Sequence, residues 1–281
     1  MFTDIKKHLK KVLNFIIMLV LIVCAIFPIY WMVSLAFRDS AELASNLSLI
    51  PQSFTLENFK ILFEQNNFAQ ALSNSLLITV VSLFISLLLG IPAAYGLART
   101  RFKYRIRNIS LFWVLLVRVI PPITFSIPLY FIFNYLEWEH TYWPIILSHV
   151  LLSLPLIIWY LMSSVNGLSE EIEESARIDG ANEYQIFWHV VLIRLLPAIS
   201  AVAILTFMTS WNEYLFAVIF IRDTNKFTVP LLLSIMNTEQ ELTQWGQIAV
   251  GGLISIIPVV IFVIFAQAFL KNELSKGGVK G

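Results

Sequence analysis

Residues 12–37 read VLNFIIMLVLIVCAIFPIYWMVSLAF, a run without one charged side chain. It is longer than the about 20 apolar residues that cross about 30 Å of hydrocarbon. Lys6, Lys7, Lys10 and Lys11 precede it and invite a signal-peptide reading. A signal's apolar core is usually about 7–15 residues and ends in a small-x-small cleavage site. The Val12–Phe37 run is too long and has no such site, so it is expected to stay as a first membrane helix. Five stretches of similar character follow, at about Leu72–Ala98, Ile109–Phe133, Tyr142–Val165, Leu196–Ile221 and Ile248–Leu270. Transmembrane strands would alternate apolar and polar residues over about 10 positions, and no segment does so. The expected fold class is all-α: a polytopic membrane bundle of six transmembrane helices.

Composition agrees. Of 281 residues, 58% are hydrophobic and only 13% charged, with mean hydropathy +0.78; a soluble domain carries about 25% charge. A soluble core cannot absorb so much apolar surface without large exposed patches. This excludes a soluble enzyme, a disordered chain and a nucleic-acid binder, and a net charge of +1 offers no basic surface for phosphate backbones. The single cysteine, Cys24, excludes an intrachain disulfide and a Cys-based zinc site. His8, His140, His149 and His189 lack metal-ligand spacing. With the N-terminus inside, fourteen of the 19 Lys and Arg fall on inner segments, while Arg38, Lys60, Arg222 and Lys226 fall on outer ones. Both termini are therefore expected on the cytoplasmic side. Pro28, Pro92, Pro121, Pro122, Pro128, Pro155 and Pro258 lie inside spans, where each removes a backbone donor and bends its helix. Such bends suit a cavity-lining bundle and ordinary packing equally.

One inner loop violates the charge rule. Between the fourth and fifth spans, Glu170, Glu171, Glu173, Glu174, Asp179 and Glu183 outnumber Arg177 and Arg194. Ser169 can cap a short helix with acids in its first turn, and Arg177 can pair with Glu173 or Glu174. Gly180 stops that helix. Asn182 caps a second one, with Phe187, Val190, Val191 and Leu195 as its apolar stripe. The product is a helix–Gly–helix elbow.

The residues Glu174-Ser175-Ala176-Arg177-Ile178-Asp179-Gly180-Ala181 resemble the "EAA" motif of permease subunits of binding-protein-dependent ABC importers. The motif reads Glu-Ala-Ala, three residues, Gly, nine residues, then Ile-x-Leu-Pro. Here Ser175 replaces the middle Ala, and the tail falls on Val190-Val191-Leu192-Ile193, with a Pro only at Pro197. Further blocks resemble the carbohydrate branch: Phe54-Thr55-Leu56-Glu57-Asn58-Phe59, Asn74-Ser75-Leu76, Ala94 to Arg99, Trp211-Asn212-Glu213-Tyr214, and Gly277 to Gly281. The chain looks like the second permease subunit of maltose-type importers, which implies a type I importer permease fold. It also implies an N-terminal tail, first helix and outer loop over 1–70, and a five-helix core over 71–268 with its coupling loop at about 168–195. A cytoplasmic tail over 269–281 follows.

The resemblance implies that this loop couples to a separate ATPase through Glu174, Ser175, Ala176, Asp179, Gly180 and Ala181. The chain has no Gly-x-x-x-x-Gly-Lys-Ser/Thr run to cradle nucleotide; ATP and Mg would be bound by the partner ATPase, with no cofactor in this chain. The implied partners are a second permease in a heterodimer, an ATPase dimer, an extracytoplasmic solute-binding protein and the lipid bilayer of a prokaryotic cell membrane. The implied mechanism is alternating access by a sugar or oligosaccharide, and Gly278, Lys280 and Gly281 are a second candidate ATPase contact.

Polar groups within the spans are candidates for a solute path. Arg118, near the middle of its span, would cost about 2.5–3.5 kcal/mol on insertion scales and should face the bundle interior or water. Asn212 and Glu213 stand in the outer half of the fifth span, too far along the membrane normal for a direct Arg118–Glu213 pair. Trp211 and Tyr214 either stack on a sugar or anchor at the interface. The stripe Leu56, Phe59, Leu62 and Phe63 either meets the binding protein or packs on neighbouring helices. Two alternatives stay open at this level: a secondary, ion-coupled transporter, and an ABC permease for a polyol or glycerol phosphate.

Overall fold

The computed structural model describes residues 2–45, 48–99, 104–238 and 244–277, and among these every regular element is helical. In chain order they are α1 (Phe2–Ala36), α2 (Ser40–Ser45), α3 (Glu57–Glu64), α4 (Phe68–Arg99), α5 (Tyr104–Val119), α6 (Pro122–Tyr135) and α7 (Trp143–Asn166). Then come α8 (Glu170–Ile178), α9 (Glu183–Gln185), α10 (Leu192–Trp211), α11 (Leu215–Phe220), α12 (Val229–Thr238) and α13 (Trp245–Gly277). Among the described residues five runs are long and apolar enough to cross a membrane: Lys10–Ala36, Phe68–Arg99, Trp143–Asn166, Glu183–Trp211 and Trp245–Gln267. A sixth exists if the bent pair α5–α6 counts as one span.

That pair revises the third span. Ile109–Phe133 is not one helix: its two halves meet at 99°. Pro121 and Pro122 have no N–H to give the carbonyls of Val117 and Arg118, and the residue before a proline is pushed out of the helical region. Pro121 itself is extended (φ −56°, ψ 133°), and Pro122 opens α6 at a position where a missing donor costs nothing. The other intraspan prolines, Pro28, Pro92, Pro128, Pro155 and Pro258, sit inside uninterrupted helices. The fifth span is shifted too. It starts at Glu183 and ends at Trp211, so the expected continuation to Ile221 is a separate short helix.

The chain forms two compact units, Ala69–Leu232 with Ile257–Gly281, and Met1–Phe68 with Leu233–Ile256. In the first, α7 is the most enclosed of the spanning helices. Ala94, Ile157, Leu161 and Val202 form a buried cluster joining α4, α7 and α10. Lipid tails are as apolar as leucine, so such contacts hold through close packing rather than escape from water. Gly90 shows how close: a Cβ there would lie 2.5 Å from the Cγ2 of Ile157. On α4, Asn74 donates to the carbonyls of Asn225 and Phe227 at 2.8 and 3.0 Å, and Ser75 accepts from the Val229 amide at 2.8 Å. Two neighbouring polar side chains thus hold the turn that leads into α12.

In the second unit, Arg38, read from sequence as a loop charge, is fully buried. Its guanidinium donates to the Ser34 hydroxyl at 3.2 and 2.9 Å and to the Ser48 carbonyl, pairs with Glu42 at 3.3 Å and lies over Trp31. Glu42 in turn accepts from the amides of Gln52 and Ser53 and from the Ser53 hydroxyl at 2.6 Å. A buried charge survives only when paired and hydrogen-bonded, and these bonds meet that demand by folding residues 38–53 around the pair. Of the expected stripe on α3, Leu62 is buried while Leu56 and Phe63 are exposed.

The Ser53 hydroxyl, against the opposing push of burial, holds the Glu42 carboxyl below its ordinary value of 4.5, and the Gln52 and Ser53 amides and Arg38 add to this. A carboxylate depressed in the folded state stabilises it above the unfolded value and loses that contribution as pH falls through the folded one. Corrected amide protection at Gln52 and Ser53 should therefore be constant above about pH 5 and drop on acidification below 4.5. The step should be absent in Glu42→Gln.

Candidate functional site

The 168–182 elbow is built from short-range signals and one long-range pair. Asp179 closes α8, and Gly180 follows in the left-handed region at φ +91°. The Ala181 amide donates to the Ala176 carbonyl at 2.9 Å and the Gly180 amide to Arg177 at 3.0 Å; this 6→1 and 5→2 pattern ends helices at glycine. Asn182 and Gln185 form a reciprocal capping box at the start of α9. Ser169 occupies the N-cap position of α8, but its side chain makes no cap bond. Arg177 lies 3.9 Å from Glu173, yet its main partner is Glu183 at 2.7 and 3.1 Å, because the Gly180 turn folds that carboxylate back onto it. Glu183 raises the Arg177 guanidinium further above its ordinary value.

Glu173, in the middle of this acidic run, is buried. Its Oε1 accepts from the Arg99 Nε at 2.7 Å and its Oε2 from the Tyr95 hydroxyl at 3.0 Å. Arg99 also reaches the Leu168 carbonyl at 2.8 Å and Glu170 at 3.3 Å. The end of α4 thereby holds both ends of α8's first turn. Beneath it, Val165, Ile186, Val191 and Leu195 form a buried cluster against which Ala176 and Ala181 pack. Residues 186–191 are a π-helical turn, so Ile186 and Val191, five apart, face the same way. This differs from the expected stripe, in which Phe187 stood in place of Ile186; Phe187 instead packs on Tyr95 at 5.2 Å. Outward, Glu174, Ser175, Asp179 and Gly180 are exposed, and Ile178 is 86% exposed.

A second polar cluster lies where the fifth span breaks. Glu213 Oε1 accepts from the Phe216 amide at 2.9 Å, closing the start of α11, and its Oε2 lies 3.2 Å from His149 Nε2. The other ring nitrogen of His149 is 2.6 Å from the Ser210 hydroxyl. The ring thus bridges the Glu213 carboxyl group and the Ser210 hydroxyl. Both His149 and Ser210 are buried.

A family model described as "Binding-protein-dependent transport system inner membrane component" matches residues 86–276. The chain belongs to this family. Its permease relatives match over nearly their whole length. The inner membrane ABC transporter permease protein YcjP of Escherichia coli is 31% identical over 98% of this chain and 99% of its own. The arabinooligosaccharides transport system permease protein AraQ of Halalkalibacterium halodurans is 33% identical over 92% of each. Among solved structures, a chain of a bacterial ABC transporter involved in the import of the acidic polysaccharide alginate superposes with a TM-score of 0.77 at 22% identity. That match covers 94% of this chain and 97% of that one. The fold is that of an ABC importer permease, and the protein is a membrane-embedded transport component rather than an enzyme.

The permease structure sorts the residues singled out in sequence. Glu174, Ser175, Asp179 and Gly180 lie together on the outer face of the elbow, whereas Ala176 and Ala181 pack inward. Gly278, Lys280 and Gly281 lie outside the described residues. Arg118 is not mid-helix: it occupies the last turn of α5 beside the proline break and is exposed in the isolated chain. Trp211, expected either to anchor at the interface or to stack on a sugar, is a core residue of this chain. It is buried with Leu83, Ala203 and Phe207 and stacks on Phe207. Asn212 is exposed and donates to the Met208 carbonyl, and Glu213 pairs with His149 rather than Arg118. Sequence reasoning met Tyr95, Arg99, Glu173, Ile178 and His149 without giving any of them a site role. The four-residue spacing of Tyr95 and Arg99 on one helix face was the available signal.

Glu173→Leu should take the main partner from the part-buried Arg99, which keeps Glu170 and the Leu168 carbonyl, at a cost of about 1–3 kcal/mol. Amide exchange across 170–178 should then quicken, while Glu170→Gln, at an exposed partner, should change little. His149→Phe should strand Ser210 and Glu213 at a cost of about 2 kcal/mol, read as a lower unfolding midpoint and loss of protection at the Phe216 amide.

Proposed function

We propose that this chain is one of two permease subunits of an ATP-driven importer for a sugar or oligosaccharide. It works with an ATPase dimer that binds ATP and Mg and with an extracytoplasmic solute-binding protein. The relatives named for arabinooligosaccharides, diacetylchitobiose and trehalose/maltose transport support the sugar class. The inner charge excess supports cytoplasmic termini, with the transport core over 71–268. The observation that carries the reading is the outer face of the elbow: Ile178, 86% exposed, between Glu174, Ser175, Asp179 and Gly180. An exposed isoleucine on a pinned helix offers apolar area that a docked partner would take out of water.

The elbow is the coupling element. When ATP closes the motor, the ATPase cleft carries α8 with it, and the Arg99–Glu173 tie passes that movement to α4. The small groups at Ser175 and Gly180 let the partner's backbone approach. Asp179 and Glu174 supply acceptors for donors in the cleft. A Cβ at Gly180 meets nothing within 4 Å in this chain, so a side chain there projects toward the partner.

Gly180→Val combines left-handed strain of about 1–2 kcal/mol with that projection. Membrane levels of the complex should stay near wild type, uptake should fall at least tenfold, and ATP hydrolysis should lose its dependence on the loaded binding protein. Wild-type uptake by this variant would sink the assignment.

A further inference from the structure

The unit formed by Met1–Phe68 and Leu233–Ile256 contains a cavity of about 410 Å³, within the roughly 300–1,000 Å³ range of small-molecule sites. Its wall is unusual for a chain this apolar. Asp39, Glu57, Asn58, Gln65, Asn66 and Gln247 line it, and its described lining holds no Lys, Arg, His or aromatic residue. The second polar feature of the chain, the His149–Ser210–Glu213 cluster, is tied to the break at α11 through the Phe216 amide.

The polar groups of this wall are held in place. Asn58 is buried, and its Nδ2 donates to the carbonyls of Ala36 and Arg38 at 3.1 and 2.7 Å. Asn66 Nδ2 donates to Gln247 Oε1 at 3.1 Å. Asp39 Oδ1 accepts from the Glu42 amide at 2.7 Å. Gly246 makes the fit of α13 against α3: a Cβ there would lie 2.5 Å from both Asn58 side-chain polar atoms. Among the described residues the Asn58 carboxamide oxygen, the second Asp39 oxygen and the Gln247 amide group have no further partner. Fixed groups lose little entropy on binding.

We propose that this cavity binds a neutral polyhydroxylated solute, a sugar unit, on the side from which import begins; the direction rests on the permease reading above. A hydroxyl both donates and accepts, and a wall of carboxamides and carboxylates offers both partners to neighbouring hydroxyls. Two carboxylates without a cation in the described wall repel an anion, so phosphorylated or uronic solutes are rejected by unpaired charge. The cavity therefore filters solute class before the membrane-spanning path.

Saturation-transfer NMR on the purified importer complex in lipid nanodiscs, without binding protein, tests this with maltotriose and sn-glycerol 3-phosphate. Wild type should transfer to maltotriose and not to glycerol 3-phosphate. Asn66→Leu and Gln247→Leu should weaken the maltotriose signal at least fivefold. Glu57→Lys changes an exposed residue and leaves the fold alone; it should admit glycerol 3-phosphate. Equal maltotriose signals in wild type and the variants would overturn the proposal, as would glycerol 3-phosphate transfer by wild type. So would no sugar transfer by wild type with loss of binding-protein stimulation in the variants, which would mark a socket for a basic side chain of that protein. Deleting the chain separates the two readings: sugar uptake that survives the deletion removes the permease assignment whatever the NMR shows. Uptake lost on deletion, with no maltotriose transfer, removes only the cavity.

Discussion

Arg99 reaches three oxygens, on Glu173, Glu170 and the Leu168 backbone, from the last turn of a 32-residue spanning helix. Cations at a helix C-terminus complement its dipole, so the guanidinium is already well placed before it meets the elbow. Burying Glu173 then becomes tolerable, because the carboxylate is paired with Arg99 and accepts a hydroxyl from Tyr95. Everything the elbow presents outward depends on that tie. Without it, α8 would be a charged nine-residue helix, too short to persist alone in water.

The two broken spans show different solutions to one constraint. In hydrocarbon, backbone groups that leave a helix need other partners. At Ile120–Pro122 the chain removes the donor half of the demand, since two prolines have no N–H to satisfy, while the carbonyls of Val117 and Arg118 lose those partners. At Asn212–Tyr214 it meets the demand with side chains: Asn212 covers a carbonyl of α10 and Glu213 an amide of α11. The second solution puts a carboxylate in the protein interior, and His149 and Ser210 are the groups that accommodate it. An acid just past the end of a spanning segment is thus a helix-break device here, held by a histidine 64 residues away in sequence.

Much of this was legible in the residues. Hydropathy located the spanning runs because each is long enough to cross the bilayer, and Gly180, Asn182 and the first-turn acids marked the elbow because caps are local chemistry. What escaped was pairing at a distance. Nothing near Glu173 announces that it is buried, since its partner lies 74 residues back, and Arg38 reads as an ordinary outer-loop charge until residues 38–53 wrap around it. Trp211 misled because aromatics near a span end are commonly interfacial; here the helix stops at that residue, and Phe207 and its neighbours enclose it. The proline pair at 121–122 was visible, but hydropathy counts apolar residues and carries no direction, so a 99° turn leaves its profile unchanged.

The π-helical turn at 186–191 has an effect on how the family can vary. It carries one residue more than an α-helical turn would need. Losing one residue there would restore the regular repeat and keep Ile186 beside Val191, because positions four apart share a face of an α-helix as positions five apart do on the π turn. The turn therefore absorbs a one-residue difference in length while the elbow keeps its direction toward Arg99. A second lost residue would find no such slack and would rotate all that precedes it by about 100°.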